Sequence, residues 1–289
     1  MKYTKLLVAV SLLFSLQLKA QIGNLTLGGN AYTPSAFNIK LGVEGDYYSN
    51  ISPEWMKNHT KNPSQIEFDD SGFETVNHAE VGGLSIGGHL MFTNPGNQDS
   101  RKQKYREIKL GFDVIVAGEA LVTFTETDER MDSTYVTSRM YCLVTSEFRL
   151  GGEYRFRTSW GRFNTFFGVG SHIGATFNDK MLLLKGNSVA ENGAVDEEEF
   201  VAPDMDEMDV ETYAAKSSMY MRAYVPFGIS FRTCRRLELG FEQRFGIGVG
   251  QVMDGDTYFM KHVGFATLTA TYHFDDYLKY KKPVVPDYR

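Results

Sequence analysis

Five charged residues fall on one parity of a single stretch, RMYCLVTSEFRLGGEYRFRT: Glu147, Arg149, Glu153, Arg155 and Arg157. Charges two residues apart lie on the same face of an extended chain, so acid and base come within reach of one another. With water around it, such a row is a selectivity ring or a proton path. In a narrow space it is a salt-bridged plug whose charges satisfy each other.

A second candidate chemistry is histidine. His89, His172 and His273 share the charged parity of their segments, while His59, His78 and His262 lie in or near connections. His172 among polar neighbours is the position that general-base chemistry would use, with a serine or aspartate alongside. No HExxH pattern accompanies it, and the GxSxG spacing at Gly83–Gly87 falls inside an alternating segment rather than at a strand-to-helix turn, so a satisfied interior histidine is favoured and no catalytic residue is assigned. A third is the stretch 187–212, with ten acids and no base. Its spacing does not match the DxDxDG loop of an EF-hand, so it reads as a solvated acidic surface loop, and neither metal nor cofactor is expected.

These residues sit on segments that alternate with period 2. In LELGFEQRFGIGV the odd positions from Leu237 to Val249 are nearly all apolar, and Glu238, Glu242 and Arg244 sit among glycines on the other parity. The same alternation runs through segments containing Ile39 to Tyr47, Leu84 to Phe92, Ile108 to Phe124, Met140 to Phe156, Phe163 to Phe177, Met219 to Phe231 and Ala266 to Phe274. That makes eight strands. The central part of the apolar parity carries no charge in any of them. A lysine or arginine facing lipid at the bilayer midplane costs roughly 2–4 kcal/mol, which accounts for the exclusion and turns the apolar faces outward.

Glu44, Asp113, Glu119, Glu147, Arg149, Glu153, Arg155, Arg222, Glu242 and Arg244 are then expected to point into the lumen. Eight strands leave an interior just wide enough for side chains to fill, which favours the plug over the selectivity ring. Inward glycines such as Gly111, Gly168, Gly228 and Gly246 make room for the long charged chains.

The connections set the orientation. Links around Ser159–Arg162 and Cys234–Arg235 are tight, whereas 49–80, 126–138, 178–217 and 251–262 read as long loops. Residues 94–105 sit on the short-turn side yet are long, so they extend their flanking strands or add a hairpin that raises the count to ten. Phe92, Phe156, Trp160, Phe163, Phe231, Tyr272 and Phe274 gather at the short-turn rim as an interfacial girdle. Cys142 and Cys234 fall at opposite ends, beyond disulfide reach, so two free thiols are expected.

At the N-terminus, Lys2 and Lys5 precede the apolar run Leu6–Leu16, and a small residue, Ala20, offers a cleavage point. Residues 1–20 read as an export signal. Losing Lys2, Lys5 and Lys19 takes the formal charge from −6 to −9, which argues against a nucleic-acid partner. The expected layout is a signal over 1–20, a periplasmic segment over 21–37, a barrel over 38–274 and a basic tail over 275–289. Segments 106–124 and 139–157 have about 19 residues each, against the roughly 9–11 that span a bilayer, so they project past it and form either a stalk or a partner-accepting edge.

With its amphipathic strands, short inner turns and long outer loops, the chain resembles the small OmpA/OmpX-type outer-membrane barrels. The end of the last strand, TLTATYHF, is similar to their aromatic-terminated assembly signal, with Thr269 where a glycine is common and Phe274 ahead of the terminus. The fifteen residues after Phe274 are not expected to form a peptidoglycan-binding domain, and the signal end LKAQ is similar in style to outer-membrane proteins of Bacteroidota. The resemblance implies an up-and-down antiparallel transmembrane barrel in a Gram-negative outer membrane. The expected partners are outer-membrane lipid and lipopolysaccharide, with a periplasmic or surface protein as a further one. The expected role is a non-enzymatic structural, surface-interaction or accessory subunit of an envelope assembly. A narrow diffusion channel is the alternative, and a lipid- or peptide-modifying enzyme comes third.

Overall fold

The computed structural model describes residues 24–49, 53–65, 74–79, 81–95, 102–130, 133–191, 209–253 and 258–274. The expected signal and the basic tail lie outside the described residues, as do 96–101 and the central part of the acidic loop.

Eight antiparallel strands close a ring. In chain order they are β2 (Asn30–Ser49), β4 (Val81–Pro95), β5 (Lys102–Arg130), β6 (Ser133–Trp160), β7 (Phe163–Glu191), β9 (Ser218–Arg232), β10 (Leu237–Val252) and β11 (Tyr258–His273). Each pairs with its neighbour in the ring, and β11 returns to β2 with Ala270 opposite Ile39. The ten-strand alternative is thereby excluded. The 94–105 region extends its flanking strands instead, with Asn94 opposite Arg106 and Pro95 opposite Tyr105. Strand β2 begins at Asn30, ahead of the start expected at 38.

Three short strands attach to the ring. β1 (Leu25–Leu27) folds back on β2 through Gly28 and Gly29, both at positive φ as a two-residue type I′ turn demands. β3 (Glu74–Ala79) pairs with β5, and β8 (Asp209–Ala214) pairs with β7. A helix, α1 (Pro53–His59), follows β2. At the short-turn end Gly161 takes φ +64° between Trp160 and Phe163, allowing a two-residue hairpin.

Several expected loops are largely strand. β5 and β6 continue to Arg130 and Ser133 across the expected 126–138 loop, and β7 runs on to Glu191. β11 starts at Tyr258, inside the expected 251–262 loop. These stretches carry too little apolar alternation to be read as strand, yet their neighbours supply the backbone partners. Segments β5, β6 and β7 stand beyond the barrel mouth as a sheet flanked by β3 and β8.

The surface is inverted relative to a soluble protein. Leu268 is 66% exposed, and Val43, Phe167 and Val169 are each 61% exposed, while Lys40, Lys109 and Glu242 are fully buried. An apolar belt outside and charges inside is the arrangement of a barrel that meets lipid.

The alternation does not run unbroken up every strand. On β5 the register shifts between Ile115 and Gly118, and on β6 against β7 it shifts between Val144 and Ser146. Beyond the first shift Val122 stands opposite Tyr141 in the backbone register, and the side chains of β5 past Val116 lie outside those described. A bulge adds a residue to one strand and so exchanges its faces beyond that point.

Candidate functional site

Inside the ring the charged side chains form three layers. Nearest the short turns, Arg157 pairs with Glu107 at 3.2 Å and with Glu238. His273 Nε2 lies 3.2 Å from the same Glu238, whose other partners include Asn164 at 3.2 Å.

The middle layer joins four strands. Lys40 Nζ of β2 lies 2.7 Å from Asp113 Oδ2 of β5. Arg244 of β10 binds Glu242 at 2.7 Å, Asp113 at 3.4 Å, and Glu153. Arg155 of β6 binds Glu242 at 2.6 Å, and Lys109 of β5 reaches it at 3.2 Å. The guanidinium of Arg155 lies 4.3 Å from the Phe166 ring centroid, and that of Arg244 lies 4.8 Å from Tyr224.

The upper layer centres on Glu44 and Glu147. Arg149 donates to Glu44 at 2.6 Å and to Glu147 at 3.0 Å, and Arg222 also pairs with Glu44. Lys261 Nζ of β11 lies 3.1 Å from Glu147, and the Tyr220 hydroxyl donates to Glu147 at 2.6 Å.

What distinguishes these pairs is their span. In the eight-membered ring β5 lies opposite β10, and β6 lies opposite β11. Lys109 with Glu242, Arg244 with Asp113, and Lys261 with Glu147 therefore cross the whole lumen. Room for them comes from glycine: a Cβ on Gly87 would fall on Asp113 Oδ1 and 2.7 Å from Lys40 Cε. A crevice lined by His89, Lys109, Asp113, Glu153, His172 and Tyr224 holds about 190 Å³ of interstitial space but nowhere admits a water-sized sphere.

Nine of the ten lumen residues read from the sequence are buried here. The tenth, Glu119, stands opposite Val144 in the backbone register, and its side chain is not among those described. Sequence reading missed Lys40, Lys109, Glu107, Lys261 and the Tyr220 and Tyr224 hydroxyls as members of the network. All but Lys261 lay on the charged parity of recognised strands or their flanks. Lys261 was hidden in a stretch taken for loop.

His172 is 6% exposed, and neither of its ring nitrogens has a hydrogen-bond partner. It packs beside the Tyr224 ring at 5.3 Å rather than against a serine or carboxylate. His59, outside the spanning strands, is buried against Trp55 with ring centroids 3.7 Å apart, and burial pushes its pKa down to about 4. At the short-turn rim Phe156, Trp160, Phe163 and Phe231 are exposed on the outer face. Tyr272 and Phe274 are half-buried. Phe92 departs from the girdle, since the bulge after Pro34 lays Tyr32 over it and over Ile108. Cys142 is buried on β6 and Cys234 is exposed in the turn before β10, and no disulfide joins them. Backbone N–H groups around Cys234 lower its thiol pKa.

No protein-family model matches the chain, and no curated protein matches it in sequence. Among solved structures it aligns with Ail, the attachment invasion locus protein of Yersinia pestis, in complex with the heparin analogue sucrose octasulfate. That match has 11% identity, covers 84% of this chain and 100% of that one, and has a TM-score of 0.23. It aligns with the outer membrane protein OprG of Pseudomonas aeruginosa at 10% identity over 83% of this chain and 96% of that one, with a TM-score of 0.30. Neisserial surface protein A follows at 8% identity over 82% and 97%, with a TM-score of 0.25.

Proposed function

We propose that the chain is a Gram-negative outer-membrane barrel with a closed lumen, which serves as a non-enzymatic scaffold, surface-interaction protein or accessory subunit of an envelope assembly. Its apolar belt meets outer-membrane lipid and lipopolysaccharide. The short turns face the periplasm, and the β5–β6–β7 sheet projects outside. The observation that carries this reading is the set of ion pairs spanning the lumen from β5 to β10 and from β6 to β11. An ion cannot pass without breaking several of them, and each broken pair leaves a buried charge uncompensated.

One further observation supports a non-enzymatic role: neither ring nitrogen of His172 has the partner that would orient a general base.

Single-channel recording of the purified barrel in a planar bilayer tests the reading. A folded, silent barrel is expected. Stable resolved openings would overturn the closed lumen and make the narrow diffusion channel the better account.

A further inference from the structure

The outer face of the barrel departs from its own pattern in one sector. Lys104 and Arg106 of β5 share the outward parity of Ile108 and Leu110, and both are exposed. Among the described residues of the ring strands, they alone are charged on the outward face of the short-turn half. Elsewhere that face presents residues such as Phe156, Phe163, Phe231 and Leu239. Glu107, next in sequence, points inward to Arg157, and neither Lys104 nor Arg106 makes an ion pair with a described residue. The sequence leading into β5 adds Arg101 and Lys102 against one acid, Asp99. A cation on a lipid-facing strand is tolerated where it reaches headgroups, and there it wants a counter-charge.

The surroundings form a shelf. The β1–β2 hairpin lies on the outside of the barrel, where Tyr32 crosses Ile108 and is buried with Phe92. Asn94 stands opposite Arg106 and donates to Ala31 O at 3.0 Å, which holds the hairpin beside that cation. The Tyr32 hydroxyl donates to the Tyr154 hydroxyl of β6 at 3.4 Å, and Tyr154 gives its own O–H to no described residue. On the other side of Arg106, Phe156 meets Tyr154 edge-on at 5.2 Å and stacks on Phe167 at 5.3 Å. Ile108, beneath the hairpin, is 6% exposed, whereas Leu110, the next outward residue toward the hydrocarbon, is 41% exposed.

Two uncompensated cations and a phenolic donor thus lie between a hairpin and an aromatic ridge, with open apolar surface above. Phosphate oxygens suit the cations and the Tyr154 O–H, and acyl chains suit Leu110 and Phe156. A choline or ethanolamine group would bring a further cation beside Lys104 and Arg106, so a headgroup of net negative charge is selected.

We propose that this shelf binds one anionic glycerophospholipid from the leaflet at the short-turn end. The site deepens the outer-membrane reading and rests on its orientation, which makes the periplasmic leaflet the source.

Native mass spectrometry of the full purified chain in detergent, titrated with phosphatidylglycerol, is expected to show one retained lipid. Its half-saturating concentration should lie about tenfold below that of phosphatidylethanolamine. Lys104→Gln with Arg106→Gln should erase that difference, and Tyr154→Phe should narrow it. Arg235→Gln with Arg236→Gln, exposed in the other short turn, should preserve it. If the double variant at 104 and 106 fails to fold, the parent itself carries the test: its preference should shrink as ammonium acetate rises from about 50 to about 500 mM. Equal affinity for the two lipids, a preference unchanged in the double variant, or one indifferent to salt would each overturn the proposal. Tighter retention of lipid A than of phosphatidylglycerol would overturn the phospholipid as occupant. Failure of the closed-lumen reading shows separately, as conduction, which this titration does not register.

Discussion

Lys261 on β11 meets Glu147 on β6, the strand across the barrel, with Nζ 3.1 Å from Oε1. Glu147 also accepts from Arg149 and Tyr220, so one carboxylate holds three elements together. Glu147→Gln leaves buried cations undercompensated and is expected to destabilise the barrel by about 3–5 kcal/mol. Unfolding by guanidinium in detergent would show it as a lowered midpoint with an unchanged slope.

Removing bulk as well as charge should open a path. Arg155→Ala with Arg244→Ala deletes two side chains that bridge β6 and β10 in the middle layer. In a planar bilayer this double variant is expected to show resolved openings where the parent is silent. Silence in both would mean that the remaining layers suffice to close the lumen.

Glycine positions separate packing from propensity. At Gly87 an added Cβ collides with Asp113 and crowds Lys40, whereas at Gly82 nothing lies within 4 Å. Gly87→Ala should cost about 1–3 kcal/mol by overpacking, and Gly82→Ala should stay within about 0.5 kcal/mol of the parent. Paired thermal melts would test the contrast, and equal effects would refute it.

Acid should loosen the packing of α1. Docked His59 is neutral, with its pKa lowered from 6.5 to about 4 by burial and by nearby Lys261 and Lys216. The docked state therefore binds fewer protons than the undocked one. Docking is fully stable above pH 6.5 and weakens as pH falls toward 4, by roughly 3 kcal/mol at most. Trp55 emission in the Trp160→Phe protein should shift to the red across that window, and His59→Phe should abolish the pH dependence.

The two thiols report on orientation. Cys234 is exposed in a short turn and Cys142 is buried on β6. A membrane-impermeant maleimide should leave intact cells unlabelled, label Cys234 after the outer membrane is opened, and reach Cys142 only on unfolding. Labelling of Cys234 on intact cells would invert the topology.

Much of this was legible from alternation. Lipid excludes charge from one parity and a narrow lumen collects it on the other, so Glu44, Glu147, Arg222 and Arg244 announced their direction. The bulges were not legible, because Gly118 at the first shift is one glycine among many on these strands and no glycine or proline marks the shift after Val144. Nor was α1, whose few apolar residues have meaning only against Met181, Leu183 and Phe259. Lys261 was missed for a related reason: its strand is defined there by the partners Gly248 and Tyr48 rather than by its own pattern.

The lumen pairs also constrain the order of assembly. Arg222 and Glu44 are 178 residues apart, Lys109 and Glu242 are 133 apart, and Lys261 and Glu147 are 114 apart. None of these partners can meet until strands from both halves of the chain face each other, so neutralisation is postponed to ring closure. Contacts of such high sequence separation make folding slow and late to reward. A half-built sheet would bring bare arginines and glutamates into hydrocarbon. The nascent barrel must therefore keep its inner face wet until β11 reaches β2, and entry into the bilayer becomes a single concerted event rather than strand-by-strand insertion.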